Sequence, residues 1–151
     1  VILTSIGRMF KFELSDKNLN PSTKQSLGLL LVNLLPTEQI VSCCKSKDKE
    51  ILYLVSKKGK FFKLKIDDIY NSYNSKLGYV NEKIQLKDDD FITVLSSNQY
   101  IDIETNKNKS ARLNLNKLDN NSGKNILKID FLNLEKDEYL ENCYRLENYI
   151  N

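Results

Sequence analysis

Short segments of alternating apolar and polar residues run along the chain, and glycines separate several of them. In FFKLKI (residues 61–66), the second, fourth and sixth side chains are apolar and fall on one side, while lysines fall on the other. The preceding segment ILYLV (51–55) is apolar and partly β-branched, as is typical of strands. Gly59 lies between the two segments, where a tight turn requires a positive φ angle. We therefore predict a β-hairpin that turns at Gly59.

The same hairpin pattern occurs three times. Aligning Gly7 with Gly59 brings ILTSIGRMFKFEL (2–14) onto LVSKKGKFFKLKI (54–66). A weaker third copy begins near Ile101 and has Asn108 at the turn, a residue that tolerates positive φ better than most. The period is about 50 residues, as in propeller-like arrays. We predict one domain, or part of one, with units over approximately 1–48, 49–97 and 98–151.

Each unit is predicted to contain about four strands. After the hairpin, a polar loop leads to a glycine and then to a strand such as LLLVNLL (29–35) or EKIQL (82–86). A last strand such as QIVSCC (39–44) or FITVL (91–95) closes the unit. Four strands make one propeller blade. The predicted fold is therefore all-β and propeller-like, with three four-stranded blades that bury their apolar faces by stacking.

The C-terminal segment YLENCYRLENYI (139–150) has two interpretations. Its apolar spacing also fits an amphipathic helix, whereas the register of the repeat favours a strand.

The outward positions of the hairpins carry a cation in every unit. On the second strand the predicted core residues are Phe10, Phe12 and Leu14, then Phe62, Leu64 and Ile66, then Ala111, Leu113 and Leu115. The outward cations of that strand are Lys11, Lys63 and Arg112, and those of the turn are Arg8, Lys60 and Lys109. Stacked units would join these cations into a curved basic track suited to DNA phosphates. Outward lysines also serve as solubilising surface and protect strand edges.

The composition excludes several kinds of catalytic and binding site. The net charge is only +3, so the distribution of charge matters more than its sum. The chain has no histidine, no CxxC pair and no GxxxxGK[ST] segment, and these absences exclude His-based catalysis, typical structural zinc and a P-loop. The run KDDDF (87–91) is a turn or a weak cation site. No apolar run approaches the roughly 20 residues of a membrane helix.

The cysteines indicate the redox compartment of the chain, and the first residues indicate whether it is part of a longer protein. The three cysteines are an odd number, and the adjacent Cys43 and Cys44 cannot easily bridge each other, so we expect buried free thiols in a reducing compartment. The sequence lacks a leading Met and a signal-peptide pattern, which favours a piece of a longer protein.

The segment VNLLP (32–36), followed at a fixed distance by SKKGKFFK (56–63), resembles the C-terminal domain of DNA gyrase A. The resemblance covers residues 1–95 well and 100–146 faintly. It implies a β-pinwheel, a disc of about six blades that exchange strands and bend double-stranded DNA around a basic perimeter. Either gyrase or topoisomerase IV fits as the parent.

The resemblance also implies partners and a location. The partners are the remainder of the gyrase A protein and the ATPase protein, gyrase B, of a type IIA topoisomerase, with no membrane, no cofactor and no catalytic residue in this chain. The location is the bacterial cytoplasm with its nucleoid, or a plastid-type organelle. The family's basic glycine-rich box is absent, and TKQSLG (23–28) keeps only Lys24 as a cation before Gly28, which weakens the expectation of strong wrapping.

We predict sequence-independent DNA binding and bending by this domain. The main expected phosphate contacts are Arg8, Lys11, Lys57, Lys58, Lys60 and Lys63. The secondary contacts are Lys24, Lys76, Lys109 and Arg112. The alternatives are a propeller-like protein-interaction scaffold, which the near-balanced net charge favours, and a diverged paralogue that has lost DNA wrapping.

Overall fold

The computed structural model describes residues 1–14, 30–47, 49–69, 78–81, 84, 86–96, 100–115, 126–128 and 134–145. Within these ranges the defined elements are β-strands and a 3-10 turn at Ile66–Asp68, and Leu115 is helical. The strands are β1 (Ile2–Thr4), β2 (Met9–Phe10), β3 (Ile40–Cys43), β4 (Ile51–Ser56), β5 (Lys60–Lys65), β6 (Phe91–Ser96), β7 (Tyr100–Thr105), β8 (Ser110–Asn114), β9 (Ile126–Lys128) and β10 (Leu140–Arg145). The all-β prediction is confirmed.

Three antiparallel sheets repeat one topology. In each sheet a hairpin is followed by a closing strand that pairs with the first hairpin strand, giving the orders β2-β1-β3, β5-β4-β6 and β8-β7-β10. We call these sheets the first, second and third blades. A register shift recurs where each closing strand meets the first strand, at Leu3/Thr4, Val55/Ser56 and Leu140/Asn142. The C-terminal segment forms β10, so the strand interpretation of residues 140–145 is confirmed.

Consecutive units exchange a piece of chain. Residues 126–128 pair as β9 with β5 of the second blade, and Tyr79 bridges to Met9 of the first. The segment that follows a unit's glycine therefore completes the sheet of the preceding unit rather than its own. Strands within the same unit were expected at 29–35 and 82–86. That expectation was wrong for residues 30–35, none of which is in a strand. Of 82–86 the structure describes only Ile84 and Leu86, and neither is in a strand.

The core fills the spaces between the blades. Leu52 and Leu54 face the first blade, while Tyr53 and Val55 face the third, and all four are buried. The second blade is thus covered on both faces, which explains why ILYLV contains no charged residue. Burial between stacked blades confirms that the units pack face to face.

Two predicted burials were wrong. Leu14 was expected in the core, but it is 72% exposed because β2 ends at Phe10 and the strand does not continue. Cys43 is exposed as well, whereas Cys44 and Cys143 are half-buried, and all three thiols are free. Burial raises the pKa of Cys143 to about 12, so this thiol stays protonated and unreactive.

Candidate nucleic-acid interface

The three hairpin turns share one backbone geometry. The φ angles are +80° at Gly7, +74° at Gly59 and +58° at Asn108. In each turn this residue donates its N–H to the carbonyl of a hydroxyl residue three positions earlier: Thr4, Ser56 or Thr105. The left-handed conformation expected at all three positions is confirmed.

A buried carboxylate holds each turn. The carboxylates belong to Glu38, Asp89 and Glu138, and their side chains are fully buried. The Ser56 hydroxyl donates to Asp89 over 2.7 Å, and the Thr105 hydroxyl donates to Glu138 over 2.8 Å. Thr4 makes the corresponding hydrogen bond with Glu38.

Each carboxylate also binds the turn cation of its own blade. Arg8 reaches Glu38 with two guanidinium nitrogens, one of them at 2.8 Å. The Lys60 ammonium lies 3.5 Å from Asp89, and the Lys109 ammonium lies 2.9 Å from Glu138. We call the three sets turn triads: Thr4–Glu38–Arg8, Ser56–Asp89–Lys60 and Thr105–Glu138–Lys109. They are internal to the blades, so they stabilise the turns independently of any ligand.

The cations lower the pKa of two of these carboxylates. The hydrogen bond from Arg8 outweighs burial and lowers the pKa of Glu38 from 4.5 to about 2. The hydrogen bond from Lys109 likewise lowers the pKa of Glu138 to about 2. Both groups are therefore ionised throughout the physiological range.

These two pKa values give an expected pH dependence of stability. Because both carboxyls have folded-state pKa values below their unfolded ones, their contribution is complete above about pH 4.5 and is lost as the pH falls towards 2. The melting temperature should therefore be level above about pH 5 and fall steeply below pH 4.5. Thermal unfolding across this range checks it. A variant with Glu38→Gln and Glu138→Gln should show a shallower fall, and an equally steep fall in that variant would contradict the assignment.

The turn cations predicted to contact DNA differ in exposure. The Arg8 side chain is only 12% exposed, donates to the Asn33 carbonyl over 2.7 Å and lies 5.2 Å from the Phe10 ring centre. Exposure is 28% for the Lys60 side chain and 53% for Lys109. Arg8 therefore serves mainly to hold the first turn, and Lys109 has the most access to solvent.

The strand cations occupy three different environments. The Lys11 ammonium donates to the Ile66 carbonyl over 3.2 Å and so links the first blade to the second. Lys63 is half-buried and lies opposite Tyr53 in the sheet. Arg112 is exposed and binds Asp102 through two contacts of 2.8 and 2.9 Å, which lower the pKa of Asp102.

The second turn presents two exposed lysines of the predicted set. Lys57 and Lys58 are exposed; Lys57 pairs with Asp90 at 3.0 Å, and the Lys58 backbone N–H donates to Asp89. Lys24 and Lys76, the other two predicted contacts, lie outside the described residues.

A groove of mixed charge lies between the second turn and residues 134–139, which precede β10. Its lining residues are Lys57, Lys58, Asp88, Asp89, Asp90, Leu134, Glu135, Lys136, Asp137, Glu138 and Tyr139. The three aspartates of KDDDF lie in this lining. They stand directly before β6, in keeping with the turn interpretation, and Asp89 belongs to a turn triad. No group of three or more potential metal ligands occurs among the described residues. Among the residues that the structure describes, no helix is long and apolar enough to span a bilayer.

Sequence reasoning missed the three buried carboxylates, although a signal was present. Each acid stands two positions before an apolar residue that begins the closing strand: Ile40, Phe91 and Leu140. A recurring acid beside a recurring turn cation is the pattern that could have identified the pairs.

Comparison with known proteins places the fold. No protein-family model matches the chain, and no curated protein matches it significantly. The solved structure of a DNA gyrase A C-terminal domain matches 95% of the chain with a TM-score of 0.58 and 19% sequence identity. The chain has a β-pinwheel fold. It spans 46% of that solved chain, and at this identity the likeness concerns the fold.

Proposed function

We propose that this β-pinwheel binds double-stranded DNA without sequence preference and bends it, as part of a topoisomerase of the gyrase type. The observation that carries the proposal is the fold shared with a domain of DNA gyrase A. The repeated hairpins support it, because they put cations at equivalent places on successive blades. Contacts of this kind neutralise phosphates and carry no base preference.

The turn triads divide the predicted cations into two roles. Arg8 and Lys60 are committed to buried carboxylates, so withdrawing them to bind phosphate would leave a buried charge unpaired. We assign direct phosphate contact first to Lys57, Lys58 and Lys63 of the second blade. The further contacts from neighbouring blades and loops are Lys11, Lys109, Arg112, Lys24 and Lys76. Lys109 also binds a buried carboxylate, but its side chain is 53% exposed and can meet a phosphate while it stays paired with Glu138.

Reversing Lys58 and Lys63 tests this proposal. Lys58→Glu with Lys63→Glu should weaken binding to every duplex sequence alike and reduce the slope of log K against log salt by about 2, roughly 0.9 for each lost contact. Lys60 is left unchanged because a glutamate there would face Asp89. Fluorescence anisotropy over a series of salt concentrations measures both quantities.

A matched control keeps the same change in net charge. Lys45 and Lys47 are exposed, lie away from the hairpin turns and are absent from the predicted track. Lys45→Glu with Lys47→Glu should weaken binding much less. If the two double variants bound equally well, the assignment of the track would be wrong.

The chemistry of the topoisomerase is proposed to lie outside this chain. Strand cleavage would belong to the remainder of the gyrase A protein, and ATP hydrolysis to gyrase B. The part of this domain is to hold and bend the DNA that they act on, at a cost of a few kcal/mol per short bent segment.

A second candidate function is a protein-interaction scaffold. The observation that favours it is the mixed charge of the groove between the second turn and residues 134–139, where three lysines meet six carboxylates. A scaffold would bind duplex DNA weakly at physiological salt, and the reversal of Lys58 and Lys63 would leave that affinity unchanged.

A further inference from the structure

Consecutive blades meet through the same pair of features. The first residue of each closing strand, which we call the plug residue, lies opposite the hydroxyl residue of its own turn; the plug residues are Ile40, Phe91 and Leu140. The Phe91 ring packs on Gly7 of the first turn, so close that a Cβ on Gly7 would lie 2.9 Å from it. Leu140 is buried and donates its N–H to the Lys57 carbonyl of the second turn over 2.8 Å.

At the first blade, the plug residue is left uncovered. Ile40 is 49% exposed, whereas Phe91 is 5% and Leu140 0% exposed. Ile6 and Leu35, on the loops beside it, are each 53% exposed. The first blade thus continues the interface seen twice inside the molecule, and it presents the plug half of that interface.

The other half of this interface is the apolar face on which the next blade packs, and the third blade lacks it. Tyr53, Val55 and Phe61 of the second blade form the apolar face that receives the third. The equivalent positions of the third blade, 49 residues later, hold Asp102, Glu104 and Ser110. These polar side chains are partnered on the surface: Asp102 binds Arg112, and Glu104 accepts a hydrogen bond from Asn142 over 3.3 Å.

The third turn is altered as well. The residue that receives a plug is glycine in the first turn, whereas the third turn has Asn108 at that position, and this residue is exposed. The short distance between Gly7 and the Phe91 ring shows that a Cβ at this position occupies the space of a plug. Stacking another blade here would therefore collide with Asn108 and would bury the charges of Asp102 and Glu104.

We infer that the array of blades has two unlike ends: the third blade is a cap that receives no further blade, and the first blade docks onto a blade-type hairpin. That hairpin must offer an apolar outer face, as the second blade offers to the third, and a glycine at the turn, as the first turn offers to Phe91. Polar outer faces are how stacked repeat proteins end an array. Head-to-tail assembly of this chain with itself is blocked, because its own third blade lacks both features.

The experiment converts the cap into a receiving face. The variant Asp102→Tyr, Glu104→Val, Asn108→Gly restores the residues of the second blade at three positions. Sedimentation velocity should show concentration-dependent head-to-tail assembly of this variant, with a dissociation constant at least roughly tenfold below any self-association of the unchanged protein. Adding Ile40→Glu to the same variant should abolish that assembly.

Two results would overturn the inference. One is a folded triple variant, with an unchanged far-ultraviolet circular dichroism spectrum, that assembles no more than the unchanged protein. The other is assembly of the unchanged protein through Ile40 and β8.

Hydrogen exchange of the unchanged protein decides the matter if the triple variant does not fold. The amides of β8 should exchange equally fast at low and high protein concentration, because nothing docks on the third blade. Protection of β8 that grows with concentration and disappears in Ile40→Glu would show that the third blade is no cap.

Discussion

Replacing Gly78 by alanine is expected to lower the free energy of unfolding by about 3 kcal/mol, the sum of backbone strain and overpacking. Gly78 is buried with φ of +72°, a conformation that side chains with a Cβ rarely adopt. A Cβ at this position would also lie 2.7 Å from Cζ of Phe10. Because Tyr79 follows directly and bridges to Met9, the strain falls on the link between the first and second blades. Urea unfolding followed by circular dichroism measures the loss.

A double-mutant cycle separates the two causes. Phe10→Leu removes the ring that the new Cβ would meet, so Gly78→Ala should be less destabilising in that background, while the backbone strain remains. A loss of well under 1 kcal/mol for Gly78→Ala alone would contradict the close packing of Gly78 against Phe10.

Replacing Glu38 by alanine is expected to lower the free energy of unfolding by roughly 3 kcal/mol. The variant leaves the largely buried Arg8 guanidinium without its carboxylate. The Leu35 backbone N–H, which donates to Glu38 over 2.9 Å, also loses its acceptor. The melting temperature should fall by about 6–12 °C for a chain of this size.

An exposed pair of similar geometry provides the control. Arg112 and Asp102 are also joined by two contacts, of 2.8 and 2.9 Å, but Arg112 is 62% exposed. Asp102→Ala should therefore leave the melting temperature nearly unchanged, because water replaces the lost partner. Similar losses in both variants would show that burial does not set the strength of the turn triads.

The hairpins could be predicted from sequence because their signals are local. Alternation along residues 61–66 and a glycine at position 59 are enough to specify two strands and a turn. The positive φ of Asn108 followed from the same rule applied to a weaker copy. The exchange of β9 onto β5 could not be placed, because pairing between units depends on how the blades stack and leaves no local pattern.

The candidate site was predictable only in part. The recurrence of cations at Arg8, Lys60 and Lys109 is visible in the repeat, but the acid that binds Arg8 lies 30 residues further along the chain. Folding decides which charges meet and how deeply they are buried. Two residues with the same place in the repeat, Arg8 and Lys109, therefore differ in exposure from 12% to 53%.

The turn triads suggest how a domain of low net charge could still guide DNA. Each triad fixes a turn with charges that cancel internally, so the neighbouring lysines Lys57 and Lys58 are held on a rigid support. Binding then needs less ordering of the loop at the moment of contact. Such a surface would bind modestly and would depend on several blades acting together.

The most direct test of the proposed function is a salt titration of binding to a long duplex and to a very short one, measured by anisotropy or gel shift. We expect affinity that falls steeply with salt and that is clearly higher for the long duplex, because several blades then contact the DNA at once. Weak binding with a shallow salt dependence and no preference for length would contradict DNA binding and bending, and it would favour the scaffold.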